Sequence, residues 1–161
     1  MNFAEAFGAN FAENKNAIRI RSFDLNGHTF KVKVPLTSEM EAMQERLKVV
    51  NDELVAKYYA QLTSGLDEHM DTIKETDGIE IKDDDVIIDG RSLRDIAKNK
   101  ALAECRVVEM FKLLVPEQKE FDMNTITYEM IEELFPFSIQ LEVMEQIGKT
   151  ISPEYKETRG K

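Results

Sequence analysis

The dipeptide Asn26-Gly27 restricts the fold of this chain most, because the segments on both sides of it alternate apolar and basic residues. Asn-Gly readily adopts the two left-handed backbone conformations that a tight turn between antiparallel strands requires. The alternating segments are Ile18-Arg19-Ile20-Arg21 before the turn and Phe30-Lys31-Val32-Lys33-Val34 after it. Residues 17–35 are therefore predicted to form a β-hairpin.

The register of this hairpin depends on the length of its loop. A two-residue loop would pair Phe23 with Phe30, but it would also set Ile20 opposite Lys33 and mix apolar and charged side chains on one face. A bulge or a three-residue loop around Gly27 would avoid that mismatch, so we expect one of these and a hairpin with an Ile/Val face and an Arg/Lys face. The apolar residues that would then align are Ile18, Ile20, Val32 and Val34.

Four helices are predicted after the hairpin, at about residues 38–63, 92–115, 125–135 and 137–148. Ser38 and Glu41 fit a capping box at the start of the first, and apolar residues then recur at steps of three and four. The fold class is therefore α+β, predominantly α-helical: an N-terminal β-hairpin followed by a small bundle of about four helices. We expect a flexible arm over residues 1–14, a single globular domain over 15–150 and a polar tail over 151–161.

The N-terminal arm, residues 1–14, carries Phe3, Phe7 and Phe11 at positions i, i+4 and i+8. On a helix these rings would form one stripe. Two interpretations stay open: a loosely ordered arm folded back on the core, or a segment that docks its phenylalanines into a groove on another chain. The three phenylalanines are the first candidates for partner binding.

The start of the first long helix supplies a second set of candidates, Met40, Met43 and Leu47. Their spacing favours core packing, and methionine is also a common residue of adaptable binding grooves. The last two helices carry further apolar residues: Met130, Ile131, Leu134, Phe135, Phe137, Leu141, Met144 and Ile147.

Charge is unevenly distributed along the chain. The whole chain has 31 acids and 21 bases, a net charge of −10, whereas residues 67–89 alone carry ten acids and two lysines. This acidic segment is interpreted either as a solvated hairpin insertion or as a face that attracts a basic partner or a neighbouring copy. Self-association is predicted between the basic hairpin and the acidic segment through Arg19, Arg21, Lys31, Lys33, Asp83, Asp84 and Asp85.

Composition and motifs argue against several classes of function. The negative charge opposes nucleic-acid binding, and no apolar run is long enough to span a membrane. One cysteine and two histidines are too few for a four-ligand zinc site, and no nucleotide-binding or hydrolase motif occurs. We expect no catalytic residue, no cofactor and no metal, a soluble cytoplasmic protein, and an inert, buried Cys105.

From about residue 18 to residue 116, the order of parts resembles a tail assembly chaperone of long-tailed, siphovirus-like bacteriophages. The resemblance rests on the basic hairpin, the long amphipathic helix after it and two further segments. One is the acidic connector that ends in Ile88-Asp89-Gly90-Arg91-Ser92, and the other is the helix end Phe111-Lys112-Leu113-Leu114-Val115-Pro116.

The resemblance implies a protein that is not an enzyme. Such a chaperone keeps the phage tape measure protein soluble, helps to recruit the major tail-tube protein, works in the host bacterial cytoplasm and is absent from the mature virion. The residues leave other functions open: a structural virion or connector protein, an acidic mimic of nucleic acid that inhibits a DNA-binding protein, or an enzyme that uses carboxylates.

Overall fold

The structure is a computed structural model that describes residues 1–66 and 78–152. The chain divides into two compact units, where a single domain is expected over residues 15–150. The first unit joins Met1–Met43 to Val107–Lys161, and the second is Gln44–Arg106. The first part of the acidic segment, residues 67–77, and nearly all of the expected polar tail lie outside the described residues.

The described residues form six α-helices and two small antiparallel sheets of three strands each. In chain order the elements are α1 (Ala9–Glu13), β1 (Ile20–Leu25), β2 (His28–Lys33), α2 (Thr37–Lys48), α3 (Asp52–Thr63), β3 (Ile79–Ile81), β4 (Val86–Ile88), β5 (Arg91–Ser92), α4 (Leu93–Phe111), β6 (Leu114–Val115), α5 (Tyr128–Leu134) and α6 (Phe137–Ile151). The mixed, mainly helical class is as predicted, but six helices replace the four expected. One of the additional helices lies in the N-terminal arm, and the first long helix is divided in two.

The N-terminal hairpin is confirmed, but the predicted register is wrong. Phe23 pairs with Phe30 and Ile20 pairs with Lys33, so the loop contains two residues only. Asn26 has φ 51° and Gly27 has φ 81°, the pair of left-handed conformations that the tightest hairpin turn uses. The rings of Phe23 and Phe30 stack at 5.4 Å on the face that enters the core. That face is therefore built on aromatic residues, not on the isoleucines and valines alone.

The helix predicted over residues 92–115 ends early, at Phe111. The chain then turns, and β6 pairs antiparallel with β2 to complete the order β1-β2-β6. The backbone N–H of Lys33 donates to the carbonyl of Leu113 at 2.9 Å, which extends this pairing. Leu114 and Val115 thus gain sheet partners that a continued helix would not provide.

The core of the first unit lies where the sheet meets the last two helices and the end of α4. Val32, Val143 and Ile147 are completely buried. Phe111 packs edge-on against Phe135, with ring centroids 5.2 Å apart. The remaining buried members of this core are Phe23, Leu25, Val107 and Ile131.

The helix predicted over residues 38–63 is interrupted at residues 49–51. Asn51 is extended, and its side chain accepts a hydrogen bond from the Leu54 N–H at 3.1 Å, so it caps the start of α3. The start of α2 also differs from the prediction. The helix begins at Thr37, and the Glu39 carboxylate accepts from the Leu36 N–H at 3.2 Å, two residues before the Ser38 and Glu41 capping box that the sequence suggests.

The second unit has a small sheet in the order β3-β4-β5 and a compact apolar core. The strands β3 and β4 form an antiparallel pair. Ser92 caps α4, since its hydroxyl accepts from the Asp95 N–H at 3.1 Å. Buried in the core of this unit are Val55, Tyr58, Ala97 and Ala101.

Candidate interaction surfaces

The N-terminal arm folds into short helical turns that display its phenylalanines. Asn2 and Glu5 each accept the other's backbone N–H through their side chains at 2.8 Å, which is a reciprocal cap. The rings of Phe3 and Phe7 meet at 5.1 Å, and those of Phe7 and Phe11 at 5.4 Å. The predicted stripe is therefore confirmed. Phe3 is 81% exposed and Phe7 is 63% exposed, whereas Phe11 is half-buried, so the first two rings of the stripe face solvent.

A second exposed apolar surface lies where α5 meets α6. We call it the corner patch and define it by four residues: Met130, Leu134, Phe137 and Leu141. Leu134 is 77% exposed and Phe137 is 64% exposed. The patch is continuous along the chain because two of its pairs are i, i+4 neighbours on a helix, and Leu134 and Phe137 flank the two-residue connection.

Hydrogen bonds to Gln140 hold this corner in place. Gln140 is 1% exposed. Its side-chain amide donates to the carbonyl of Phe135 at 2.8 Å, and its amide oxygen accepts from the Tyr128 hydroxyl at 3.3 Å. The Gln140 N–H also bonds the carbonyl of Pro136, at 2.9 Å. The corner patch thus lies on a connection that is anchored from the inside by a fully buried polar side chain.

All four residues of the corner patch belong to the apolar sets of the last two predicted helices, and the structure leaves them exposed. Only one side of each of these helices packs in the core. The buried residues on that side are Ile131 on α5 and Val143 and Ile147 on α6. The corner residues recur at steps of four, three and four, a second apolar stripe beside the first. That doubled stripe is the sequence signal that could have identified the patch.

Glutamates surround the corner patch. Glu129, Glu132 and Glu133 on α5, with Glu142 and Glu145 on α6, are all exposed. From residue 123 to residue 148 the chain contains no lysine, arginine or histidine. Within the described residues one of the five glutamates is in an ion pair, namely Glu145, which lies 3.0 Å from Lys149. The surroundings of the patch are therefore strongly negative.

The methionine stripe of α2 is buried or half-buried, as the favoured core-packing interpretation predicts. Met43 is 7% exposed and belongs to the interior. Met40 and Leu47 are half-buried. The spacing of three and four residues turns one side of α2 inward, so Met43 fits the core-packing interpretation.

The predicted basic self-association residues are partly engaged within the chain. Arg19 donates to the carbonyl of Val34 at 3.0 Å and forms an ion pair with Glu39. The Leu36 N–H lowers the pKa of Glu39; burial opposes this, and Arg19 lowers it further. Arg21 donates to the carbonyl of Thr150 at 3.0 Å, near the end of α6. The other two basic residues, Lys31 and Lys33, are exposed and half-buried respectively.

The acidic self-association residues separate into two kinds. Asp83 and Asp84 are exposed. Asp85 instead holds the start of α4: its carboxylate accepts from the Ser92 hydroxyl and, at 3.0 Å, from the Arg94 N–H. Burial acts to raise the pKa of Asp85, but these hydrogen bonds and that from the Val86 N–H outweigh it and lower the pKa.

A polar contact is buried in the second unit. Glu104 is 8% exposed and accepts a hydrogen bond from the Tyr58 hydroxyl. The ammonium of Lys100 lies 4.2 Å from the centre of the Tyr58 ring.

Cys105 lies on α4 and is half-buried, not fully buried as predicted. The inward side of α4 carries Ala101 and Glu104, and Cys105 lies beside that side.

Among the described residues of the first unit, two clefts adjoin β6. The larger is about 340 Å³ and is lined in part by Lys33, Lys119 and Phe121, while the smaller is about 200 Å³.

The described part of the chain contains no cluster of three metal-ligating side chains. None of its helices combines the length and apolar character that crossing a bilayer requires.

Comparison of the chain with protein-family models, with curated proteins and with solved structures found no match in any of the three.

Proposed function

We propose that this chain is a non-enzymatic tail assembly chaperone of a long-tailed bacteriophage. It binds the tape measure protein and keeps it soluble, and it helps to recruit tail-tube subunits during tail assembly. It works in the host cytoplasm and leaves before the virion is complete. The sequence resemblance suggests this function, and the exposed apolar surface supports it.

The observation that supports the proposal most is that a folded, highly charged chain leaves large apolar side chains in solvent. Six of them, all on the first unit, are more than three-fifths exposed: Met1, Phe3, Phe7, Ile18, Leu134 and Phe137. Clustered apolar exposure of this kind is typical of binding surfaces rather than of an inert exterior. A chaperone that holds an insoluble partner needs such a surface.

Net charge makes that exposure compatible with solubility. The chain carries a formal charge of −10 at pH 7. Like charges on separate copies repel, and this opposes the non-specific association that exposed aromatic side chains would otherwise promote. A partner whose own apolar surface is large can still bind, because apolar burial acts at contact whereas the charge repulsion is screened by salt.

We assign the first contact with the partner to the N-terminal arm. Its phenylalanines are arranged as one stripe, and neither Glu5–Phe7 nor Ala9–Glu13 contains a buried residue. Met40 and Leu47 remain secondary candidates, whereas Met43 contributes from the interior. The corner patch adds a second exposed surface of the same character.

Co-expression with the tape measure protein of the same phage tests the proposal. The full-length chain should keep that protein in the soluble fraction, and a chain lacking residues 1–13 should fold but retain less of it. A variant with Asn10→Ala controls for disturbance of the arm outside its aromatic stripe. If full-length chain leaves the tape measure protein insoluble, the chaperone function is wrong.

We also propose that the chain self-associates through the exposed basic and acidic residues that remain available, Lys31 with Asp83 and Asp84. Charge contacts of this kind weaken as salt screens them. Sedimentation across a salt series should therefore show association at low salt that declines as salt rises. A monomer at every salt and protein concentration would contradict it.

A structural role in the virion is the second candidate, because exposed apolar side chains would also serve a connector subunit. The two roles differ in the finished particle. Mass spectrometry of purified virions should detect tape measure and tail-tube proteins but not this chain. Its presence at a fixed ratio to the tail-tube protein would favour the connector.

A further inference from the structure

We propose that the corner patch binds a basic amphipathic helix. Its four apolar residues receive the apolar stripe of the helix, and the surrounding glutamates pair with lysines or arginines beside that stripe. The inference goes beyond the proposed function, because it concerns the chemistry of the bound segment and does not depend on which protein supplies it.

The geometry of the patch suits a helix as the bound element. Met130 and Leu134 are one helical turn apart, as are Phe137 and Leu141. The Cα atoms of Leu134 and Phe137 are at most about 11 Å apart, because the two residues are three positions apart in the chain. The patch therefore extends over a few helical turns, and a partner helix can meet it with anchors at positions i, i+4 and i+7.

The corner itself needs no rearrangement to accept such a partner. Gln140 and Ile147 anchor α6 from the inside, while Phe137 and Leu141 lie on its solvent side. Because the side chains that bind are separate from those that pack, association does not require the core to open. Pre-organised surfaces of this kind lose less conformational entropy on binding.

Charge decides which helix fits. Five exposed glutamates lie on α5 and α6, and no basic residue occurs between residue 123 and residue 148. An acidic helix would place its carboxylates beside these glutamates, and a neutral helix would leave the glutamates without a partner of opposite charge. A helix with lysine or arginine beside its apolar stripe gains attraction, orientation and a faster encounter.

The N-terminal arm of a second copy is a poorer occupant. It offers Phe3 and Phe7, but residues 1–14 include Glu5 and Glu13 and no lysine or arginine. Its docking would therefore add carboxylates to an acidic surface. Charge favours a basic helix from another protein.

Fluorescence anisotropy with a synthetic peptide tests the inference. The probe is a labelled peptide of about 18 residues, built from Leu, Lys and Ala, with Leu at i, i+4 and i+7 spacing and Lys on both sides of that stripe. One control peptide has the same composition with the leucines scattered around the helix. A second control replaces every Lys by Glu. The full chain should bind the probe, bind both controls more weakly, and release the probe as salt rises.

Substitutions in the patch should reduce this binding without unfolding the chain. Leu134→Ser and Phe137→Ser should each raise the dissociation constant by about tenfold, the effect of losing a central interface anchor. Glu129→Gln with Glu133→Gln should flatten the salt dependence. Ile18→Ser, at a residue of the same unit that is 73% exposed, is the matched control and should change nothing.

Three results would overturn the inference. The first is equal binding of the Lys and Glu peptides. The second is unchanged binding by a folded Leu134→Ser/Phe137→Ser variant, with folding checked by circular dichroism. The third is a dimer, detected by sedimentation, that this double substitution dissociates, because a second copy would then cover the patch. Loss of tape measure solubility without loss of peptide binding would contradict the proposed function and leave this inference intact.

Discussion

The two compact units of this chain use different interactions to hold their folds. The first unit packs phenylalanines, valines and isoleucines around Val32, Val143 and Ile147, all completely buried. The second has a smaller core and adds polar contacts, above all the buried Tyr58–Glu104 hydrogen bond and the carboxylate of Asp85. The first unit also carries both exposed apolar surfaces, the N-terminal arm and the corner patch.

In the first unit, the residues proposed to bind a partner are different from the residues that stabilise the fold. In the first unit, α6 uses one side for the core and leaves Phe137 and Leu141 in solvent, so surface changes there should leave the fold unaffected. The second unit has the smaller core, and this core lies beside the buried Tyr58–Glu104 hydrogen bond, so the loss of one polar group there should affect stability. Four predictions test this contrast.

The largest effect is expected in the core of the first unit. Ile147→Ala should reduce the free energy of unfolding by about 2–5 kcal/mol, because it leaves a cavity at a completely buried site. Leu141→Ala, on the solvent side of the same helix, should change it by less than about 0.5 kcal/mol. Chemical denaturation of both variants measures this. Equal losses would mean that the corner patch is part of the core.

A smaller loss is expected from the buried polar contact of the second unit. Tyr58→Phe should cost about 1–3 kcal/mol, because the buried carboxylate of Glu104 loses the donor of its hydrogen bond. Adding Glu104→Leu should recover much of that loss, since both partners are then apolar. If the double variant is as unstable as the single one, the hydrogen bond does not explain the cost.

Replacement of Cys105 should have a still smaller effect. The thiol is half-buried on α4, so Cys105→Ala should lower the free energy of unfolding by no more than about 1–2 kcal/mol and leave partner binding unchanged. Thermal unfolding with the co-expression assay checks both. Loss of binding in a normally folded variant would show that the thiol has a chemical role.

The smallest effect concerns pH. Asp85 has an ordinary pKa of 3.8, and the folded chain lowers it. Its stabilising contribution is therefore present above pH 3.8 and is lost as the pH falls through the lower pKa of the folded state. Asp85→Asn should make the loss of stability in acid less steep. Denaturation at a series of acid pH values measures the slope, and an unchanged slope would exclude Asp85 as a contributor.

Local patterns in the sequence predict the elements better than they predict how those elements pair or end. Asn26-Gly27 predicts the hairpin correctly, but the stacking of Phe23 on Phe30 and the type of turn decide its register. Periodicity alone likewise predicts one helix where Asn51 starts a new one, because a cap outweighs a continuous apolar seam. The early end of α4 depends on pairing between β6 and β2, a contact between residues far apart in sequence.

The candidate surfaces show the same limit. Phe3, Phe7 and Phe11 are spaced four residues apart, about one helical turn, and this local spacing predicts a stripe. The structure confirms that neighbouring rings of the stripe are in contact. Spacing indicates two apolar stripes on α5 and α6 but does not say which of them is buried, because both Leu134 and Ile131 fit an apolar face. Which face turns inward depends on the buried Gln140 and on the sheet against which α6 packs.

One co-expression measurement tests most directly whether the N-terminal arm and the corner patch bind the partner. Phe3, Phe7, Leu134 and Phe137 are replaced together by serine, and the control replaces four other exposed apolar residues: Ile18, Leu36, Val49 and Leu62. Both variants should fold, but only the control should keep the tape measure protein soluble. If the first variant retains as much soluble tape measure protein as the unmodified chain, these surfaces are not where the partner binds.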